Sequence, residues 1–496
     1  MSKLKSTLAF VLCFTITLVL IMPYAYAQQG DPLAPRRISV CINGDPTESR
    51  GFCWYTGELT DSRVEVYTDP LLAGTPILYK ASAPVLWEGS YMHKVLASGL
   101  EAGKKYYYRV GNGSVWSDKG EFCTDDGDDA FSFITIADIQ ASSLENFQKG
   151  AQTLKAAYDT MPAAEFVINC GDFTNDSTNE EWDYYDQALS ELNRMSTLAP
   201  VSGNHDGLGV ENWFNNMFNL DTSQSVQTSD GVNYSFDYGN AHFAVVNTND
   251  ILSISNAQLD WLRNDLNSTD KDWKIVAMHK SPYSLGKDAK WPDALYLQQS
   301  LAGVMDECNV DVVFSGHDHM YLRTKAITGN ELAEDGTTYV LAGTAGTKRY
   351  EVRSFLADSF MKTEFIDALV VQKNGYGNYW NGTDWNSTSQ NNVGGCFSCI
   401  SISGGTLTLN AYIIADEKDA QGNDVITNID TLTLTKETGL NVPTYDGDNT
   451  ISSADYYLQT VSSFVNLATY TIREWLPIFI LLLPEILVVY FKDGTF

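Results

Sequence analysis

Basic residues are scarce in this chain. Among 496 residues, 32 Lys and Arg stand against 62 Asp and Glu, for a formal net charge of −30. Loose binding to nucleic acid or to an anionic lipid surface needs basic patches, so both are disfavoured. The same field repels phosphate esters, so any attraction for such a substrate has to come from bound multivalent cations. Histidine is rarer still, with six residues, which makes each position informative. Cysteine numbers eight, and Cys13 lies in the apolar leader described below. The odd remainder leaves at least one thiol unpaired in an exported chain, with Cys170, at the end of an apolar run, as the buried candidate. Cys41 and Cys53 make a plausible disulfide across neighbouring strands. Cys396-Phe397-Ser398-Cys399 has redox-type spacing but sits in a Gly/Ser/Asn-rich stretch, which favours a structural bridge or no role.

The start, Met1-Ser2-Lys3-Leu4-Lys5, is basic, an apolar run extends from Leu8 to Met22, and Ala25-Tyr26-Ala27 matches a small-x-small cleavage site. Residues 1–27 read as a secretory signal peptide rather than a retained anchor, which predicts a secreted or cell-surface protein. The remaining length predicts two or three domains. Residues 33–126 alternate apolar and polar positions in short runs punctuated by Gly, Pro, Asp and Asn, as in a small β-sandwich with Trp54 and the run Tyr106-Tyr107-Tyr108 in its core. Residues 129–436 change rhythm to short Val/Ile/Phe-rich strands alternating with helices, the pattern of an α/β catalytic domain with stacked sheets flanked by helices. Ser143 is placed to cap a helix from Leu144 to Tyr158, and a second helix is expected from Glu180 to Met195. Residues 373–396 read as a long surface loop carrying two glycosylation-type triplets at Asn381 and Asn386, and Ser398–Ile414 and Thr431–Lys436 as closing strands. Residues 442–496 form an acidic linker and a tail. Asp446 to Asp455 partly resembles a calcium loop but reads better as an acidic turn before a helix. The apolar run 475–491 is either a packed helix or a means of membrane or cell-surface association.

Within the α/β region, apolar runs end on a recurrent set of polar groups: Asp138 after Phe131–Ala137, Asp172 in Cys170-Gly171-Asp172, Gly203-Asn204-His205-Asp206, Met278-His279-Lys280 and Gly316-His317-Asp318-His319. Four of the six histidines fall in these motifs. Carboxylate, amide and imidazole groups at converging strand ends suit a two-metal site for phosphoryl chemistry. Two cations about 4 Å apart polarise phosphoryl oxygens and lower the pKa of a bridging water, and such a pair needs a shared carboxylate. Asp172 is the best candidate for that role. Asn204 supplies a neutral oxygen, His279 and His317 imidazoles, and Asp138 and His319 complete the other ion. In extended backbone His317 and His319 would point the same way, with Gly316 permitting a tight turn. His205 beside Asp206, which could orient and charge it, suits a proton donor to the leaving oxygen. His93 and His242 have no acidic or amide partner in motif spacing and read as structural, and Asp237 and Asp250 as turn carboxylates. Tyr283 and Tyr321 follow ligand motifs, with aromatic packing favoured over pocket lining.

The order of these motifs resembles the calcineurin-like metallophosphoesterase superfamily. Tyr234–Phe243, Gln258–Leu262, His317–Arg323 and the preceding β-sandwich further resemble its purple acid phosphatase branch. The resemblance implies a four-layer αββα catalytic sandwich preceded by a fibronectin type III-like domain, and two-metal phosphoester hydrolysis. It implies Asp138, Asp172 and His319 on the first ion, Asp172, Asn204, His279 and His317 on the second, and His205 facing the scissile phosphate while a hydroxide held between the ions attacks. Two positions depart from it. Asn175 stands where purple enzymes carry a ligand Tyr, and Gln140 where other branches carry a ligand His. Both are possible ligands or lie just behind them. A colourless enzyme with Fe, Zn or Mn is expected. The function expected is a secreted acid-phosphatase-like hydrolase of phosphate esters. A phosphodiesterase or nucleotidase of the same superfamily, or an inactive surface-binding protein on this fold, are the alternatives.

Overall fold

The computed structural model describes residues 30–438, apart from 82, 208–212, 224, 227–231, 250–253, 287–291, 351–360, 372–377, 381–384, 388–393 and 416–417. The leader, the acidic turn at 446–455, the apolar tail, Asp250 and Asn381 lie outside the described residues.

Two large sheets form the centre of the molecule. One has ten strands in the order Ile426–Thr435, Thr406–Ile414, Cys396–Ser403, Ala130–Ile136, Phe166–Asn169, Leu198–Pro200, Arg36–Cys41, Arg50–Thr56, Ser90–Ala97 and Val85–Trp87. The other has nine, in the order Tyr234–Tyr238, Ala241–Val246, Trp273–Met278, Val312–Ser315, Thr338–Ala342, Tyr321–Thr324, Ile366–Val371, Asn378–Trp380 and Trp385–Ser387. Strands buried on both faces need near-continuous apolar sequence, and Phe166–Asn169, Trp273–Met278 and Val312–Ser315 are buried throughout. Between the sheets Phe133 stacks on Phe166 with centroids 5.0 Å apart, and Phe243 meets both edge-on at 5.4 and 5.5 Å.

Helices cover the outer faces. Leu144–Thr160 and Asn179–Met195 bury Phe147, Leu154, Trp182 and Leu189 against the first sheet. Asn256–Ser268 and Pro292–Cys308 bury Leu259, Leu262, Leu301 and Met305 against the second. The result is the expected αββα sandwich. The Ser143 hydroxyl caps the first helix, and Thr178 with Glu181 forms a capping box on the next.

The N-terminal β-sandwich packs Trp54, Phe52, Tyr106 and Tyr108 between its two sheets. Its first sheet is continuous with the sheet of the following α/β region, because Arg36–Cys41 runs parallel to Leu198–Pro200, with Cys41 opposite Leu198. A change of composition near residue 127 therefore does not interrupt the backbone ladder. The two large sheets are also clasped at one side. Arg323 holds Asp430 with Nε–Oδ2 2.6 Å and Nη2–Oδ1 3.0 Å, and Tyr321 donates to the same carboxylate at 2.7 Å. Tyr321 and Tyr283 are thus buried packing residues, Tyr283 against Tyr339 with centroids 4.6 Å apart.

Several expectations are corrected. Cys41 and Cys53 are free and buried. Cys41 faces Gly51 and Cys53 faces Ser39, so the two are diagonal neighbours at roughly 7–8 Å, too far for a disulfide. Cys396 and Cys399 lie on one strand and face opposite cores, which excludes a bridge between them. Cys170 is buried and free, every other described cysteine is also free, and burial pushes the Cys170 thiol well up. The stretch 373–396 is not all loop, since it contains the strands Asn378–Trp380 and Trp385–Ser387. Asp237 lies in a strand rather than a turn. His242 does have acidic partners, with Nδ1 2.7 Å from Asp237 and Nε2 2.9 Å from Asp265, and Ser235 donates to Asp265 at 2.7 Å. Asp237 is five residues before His242, and strand pairing places the two directly opposite.

Burial disfavours the His242 imidazolium, but the two carboxylates outweigh it and raise its pKa to about 9. A raised imidazole pKa stabilises the fold fully below its unfolded value of about 6.5, and that contribution disappears as pH rises through about 9. Because Asp237 is half-exposed, the effect is expected to be about 2 kcal/mol rather than the full linkage value. Urea unfolding at pH 6 and pH 10 is expected to show this loss in the wild type, and a smaller loss in His242→Gln. Equal losses in both proteins would refute the clamp.

Candidate metal centre

The ligand candidates converge at the carboxyl ends of adjacent strands, and the backbone there is forced out of ordinary geometry. Asp138, Gln140, Asp172, His317 and His319 have φ of 55, 34, 55, 76 and 48°. Non-glycine residues rarely adopt this left-handed region, and clusters of them occur where the surroundings impose them, typically at functional sites. His317 and His319 are therefore not on an extended strand as expected. Gly316 is not left-handed, and its role is close approach, since a Cβ there would lie 2.7 Å from Asp138 Oδ2. Gly203 is held in the same way, because its Cβ would lie 2.1 Å from the Asp172 amide nitrogen.

Two overlapping groups of ligand atoms result, Asp172 with His279 and His317, and Asp138 with Asp172 and His319. Within each, all ligand atoms lie within 4.8 Å of one another. Asp172 belongs to both. His279 Nε2 is 3.3 Å from Asp172 Oδ2 and 3.0 Å from Asn204 Oδ1, and His319 Nε2 is 3.4 Å from Asp138 Oδ1. The other ring nitrogens are tied down: His279 Nδ1 to the Cys170 carbonyl at 2.7 Å, and His319 Nδ1 to the Lys348 carbonyl at 2.5 Å. Such contacts fix the tautomer and turn Nε2 into the site. The Tyr350 ring stacks on His319 with centroids 4.2 Å apart.

Asp138 and Asp172 are 0% and 1% exposed. Among the described residues their ion-pair partners are histidines, and no lysine or arginine neutralises them. Two buried carboxylates facing imidazole nitrogens and an amide oxygen are costly without cations and suited to holding them. Burial penalises the Asp172 charge, but His279 more than compensates and holds the carboxyl below its usual range; burial likewise disfavours the His279 imidazolium, but Asp172 outweighs it and raises that ring to about 9. Burial, reinforced by His279, keeps His317 neutral. The donor set therefore fits divalent or trivalent metal ions.

Residues 131–321 match the family description "Calcineurin-like phosphoesterase", and residues 35–124 match "Purple acid Phosphatase, N-terminal domain". The chain combines these two domains. Among curated relatives, purple acid phosphatase 23 of Arabidopsis thaliana is 24% identical over 302 residues, covering 54% of this chain and 65% of that one. Phosphoenolpyruvate phosphatase of Allium cepa is 24% identical over 262 residues, covering 49% and 52%. The matched stretches thus span less than two thirds of these relatives' own length. Among solved structures, a purple acid phosphatase from yellow lupin (Lupinus luteus) seeds shares the fold at 17% identity with a TM-score of 0.60, covering 82% of this chain and 75% of that one. PhoD does so at 13% identity with a TM-score of 0.60, covering 82% and 92%.

One expected contact in the phosphoesterase domain is absent. Asp206 does not orient His205. It is buried and accepts hydrogen bonds from the backbone N–H of Asp172 at 2.8 Å, Phe173 at 2.7 Å, Thr174 at 3.4 Å and Gly203 at 2.9 Å. It therefore ties the two ligand loops together. Burial, and next the Asp172 charge, raises its pKa to about 7. The His205 ring is instead oriented by the Asn175 carbonyl, and its backbone N–H donates to Asp172 Oδ1 at 2.9 Å. Asn175 thus acts through its backbone, a role no side-chain motif reveals. Lys348 and Tyr350 were equally invisible, lying about thirty residues beyond the last motif with no ligand spacing of their own.

Asp206→Ala leaves several buried donors without a partner, which is expected to destabilise the metal-free protein by roughly 3 kcal/mol. Urea unfolding of the metal-free variant checks this, and an unchanged midpoint would contradict the tethering role.

Proposed function

We propose that this chain hydrolyses phosphate esters outside the cell, as an acid-phosphatase-like enzyme using two metal ions. In this reading Asp138, Asp172 and His319 hold the first ion, and Asp172, Asn204, His279 and His317 the second. The observation that carries the reading is the single Asp172 carboxylate common to both ligand groups. The ions, whether Fe, Zn or Mn, would polarise the phosphoryl oxygens and supply an acidic water at neutral pH. With Asn175 in place of a tyrosine there is no phenolate ligand there, so the protein is expected to be colourless.

The remaining chemistry falls to His205. Its Nδ1 is engaged by the Asn175 carbonyl, which leaves Nε2 as the free ring nitrogen, and the residue is only partly buried. Because Nδ1–H donates to that carbonyl, Nε2 carries a proton only in the imidazolium form, and in that form it can give the proton to the departing ester oxygen or bond a phosphoryl oxygen. Secretion rests on the basic, apolar and small-x-small pattern of residues 1–27. Among the described residues no helix is long and apolar enough to cross a membrane.

After metal is restored, the protein is expected to turn over p-nitrophenyl phosphate faster than bis-p-nitrophenyl phosphate, and His205→Asn to lower kcat by about 10²-fold at unchanged metal content. Turnover of neither ester, together with unchanged metal content in the His279→Ala/His317→Ala double variant, would overturn the proposal.

A further inference from the structure

Gln140 is 4% exposed, yet neither its Oε1 nor its Nε2 has a hydrogen-bond partner. A buried carboxamide with both ends unpaired forfeits the full desolvation cost of a donor and an acceptor, so natural structures rarely keep one without a ligand to satisfy it. The neighbouring backbone makes the anomaly sharper. Gln140 follows Asp138 by two residues, both have left-handed backbone, and its N–H donates to the Asp172 carbonyl at 2.9 Å. The alternating residues Ile139 and Ala141 belong to the core under the helices. The Asp138 N–H likewise donates to the Gly171 carbonyl at 3.0 Å, so Asp138 and Gln140 both run alongside the Gly171-Asp172 turn. Ala141 bridges Thr174, whose hydroxyl is also buried without a partner, so the hydroxyl and the amide do not satisfy each other.

The ligand groups of the metal centre are unequal. Among the described residues, the position around His279 and His317 has Asp172 and the neutral Asn204 oxygen besides the two imidazoles, whereas the position around His319 has Asp138 and Asp172. We propose that Gln140 Oε1 is the missing donor of that first position, a neutral oxygen matching Asn204 at the second. This rests on the two-metal reading given above and extends it. Two carboxylates, an amide oxygen and one imidazole form a hard, oxygen-rich set, which favours Mn(II) or another hard divalent cation there; the two imidazoles of the second position suit softer ions. The unpaired amide is then a cost to the metal-free protein, offset when the ion binds.

The test is calorimetric titration of the metal-free protein with Mn(II), with thermal unfolding of the metal-free and loaded forms. The wild type should take up two ions per chain. Gln140→Met, which keeps the volume and removes both polar atoms, should weaken one of the two by at least about tenfold and leave the other unchanged. It should also raise the Tm of the metal-free protein. Gln140→Glu, which keeps an oxygen, should retain both ions. Two ions bound with unchanged affinity by Gln140→Met, a lower metal-free Tm in that variant, or loss of an ion in Gln140→Glu would each overturn the assignment while leaving the two-metal reading intact. Fewer than two ions in the wild type would overturn both.

Discussion

The structure depends on the buried carboxylate of Asp172, held at the tip of a central strand in a backbone conformation that such a residue rarely adopts. Several loops of the site converge on it. His279 reaches it from the facing sheet, the His205 amide from the neighbouring loop, and Gly203 lies so close that a side chain there would collide with it. Asp206 beneath it binds the amides of both loops, so the ligand geometry and the fold of the loops are one hydrogen-bonded unit. Strain and buried charge of this kind persist only where rigid surroundings over-determine them.

Those surroundings are the two stacked sheets. The Phe133, Phe166, Phe243 and Phe314 cluster fixes their separation, and the Arg323–Asp430 clasp pins them at one side. Continuation of the first sheet into the N-terminal sandwich, through the pairing of Cys41 with Leu198, extends the same ladder away from the site. In consequence the strand ends on which Asp138, Asp172 and His279 sit belong to deeply buried elements, while the groups that vary the chemistry, such as Asn175 and Gln140, lie in the loops beyond them.

Much of this was legible in the sequence because strand ends carry a local signal. An apolar run followed by Asp172, Asn204, His279 or His317 marks both the element and the ligand candidate, and the helix cap at Ser143 follows the same local logic. What could not be read depends on pairing across the chain. The His242 clamp arises from strand register and a helix residue, Asp265, more than twenty positions away. The Cys41–Cys53 pairing failed for the same reason: neighbouring strands were foreseen, but a diagonal register was not. Asp206 looked catalytic beside His205 because adjacency in sequence says nothing about which way a buried carboxylate turns. Backbone carbonyls that orient rings, at Cys170, Asn175 and Lys348, leave no trace in side-chain patterns.

The central claim is that one carboxylate, Asp172, serves two metal positions. Electron paramagnetic resonance of the Mn(II)-loaded protein tests it most directly, because ions joined through a common ligand are exchange-coupled. The account predicts the multiline spectrum of a coupled pair in the wild type, lost in Asp172→Ala. A wild-type spectrum of isolated Mn(II) at full loading would contradict it.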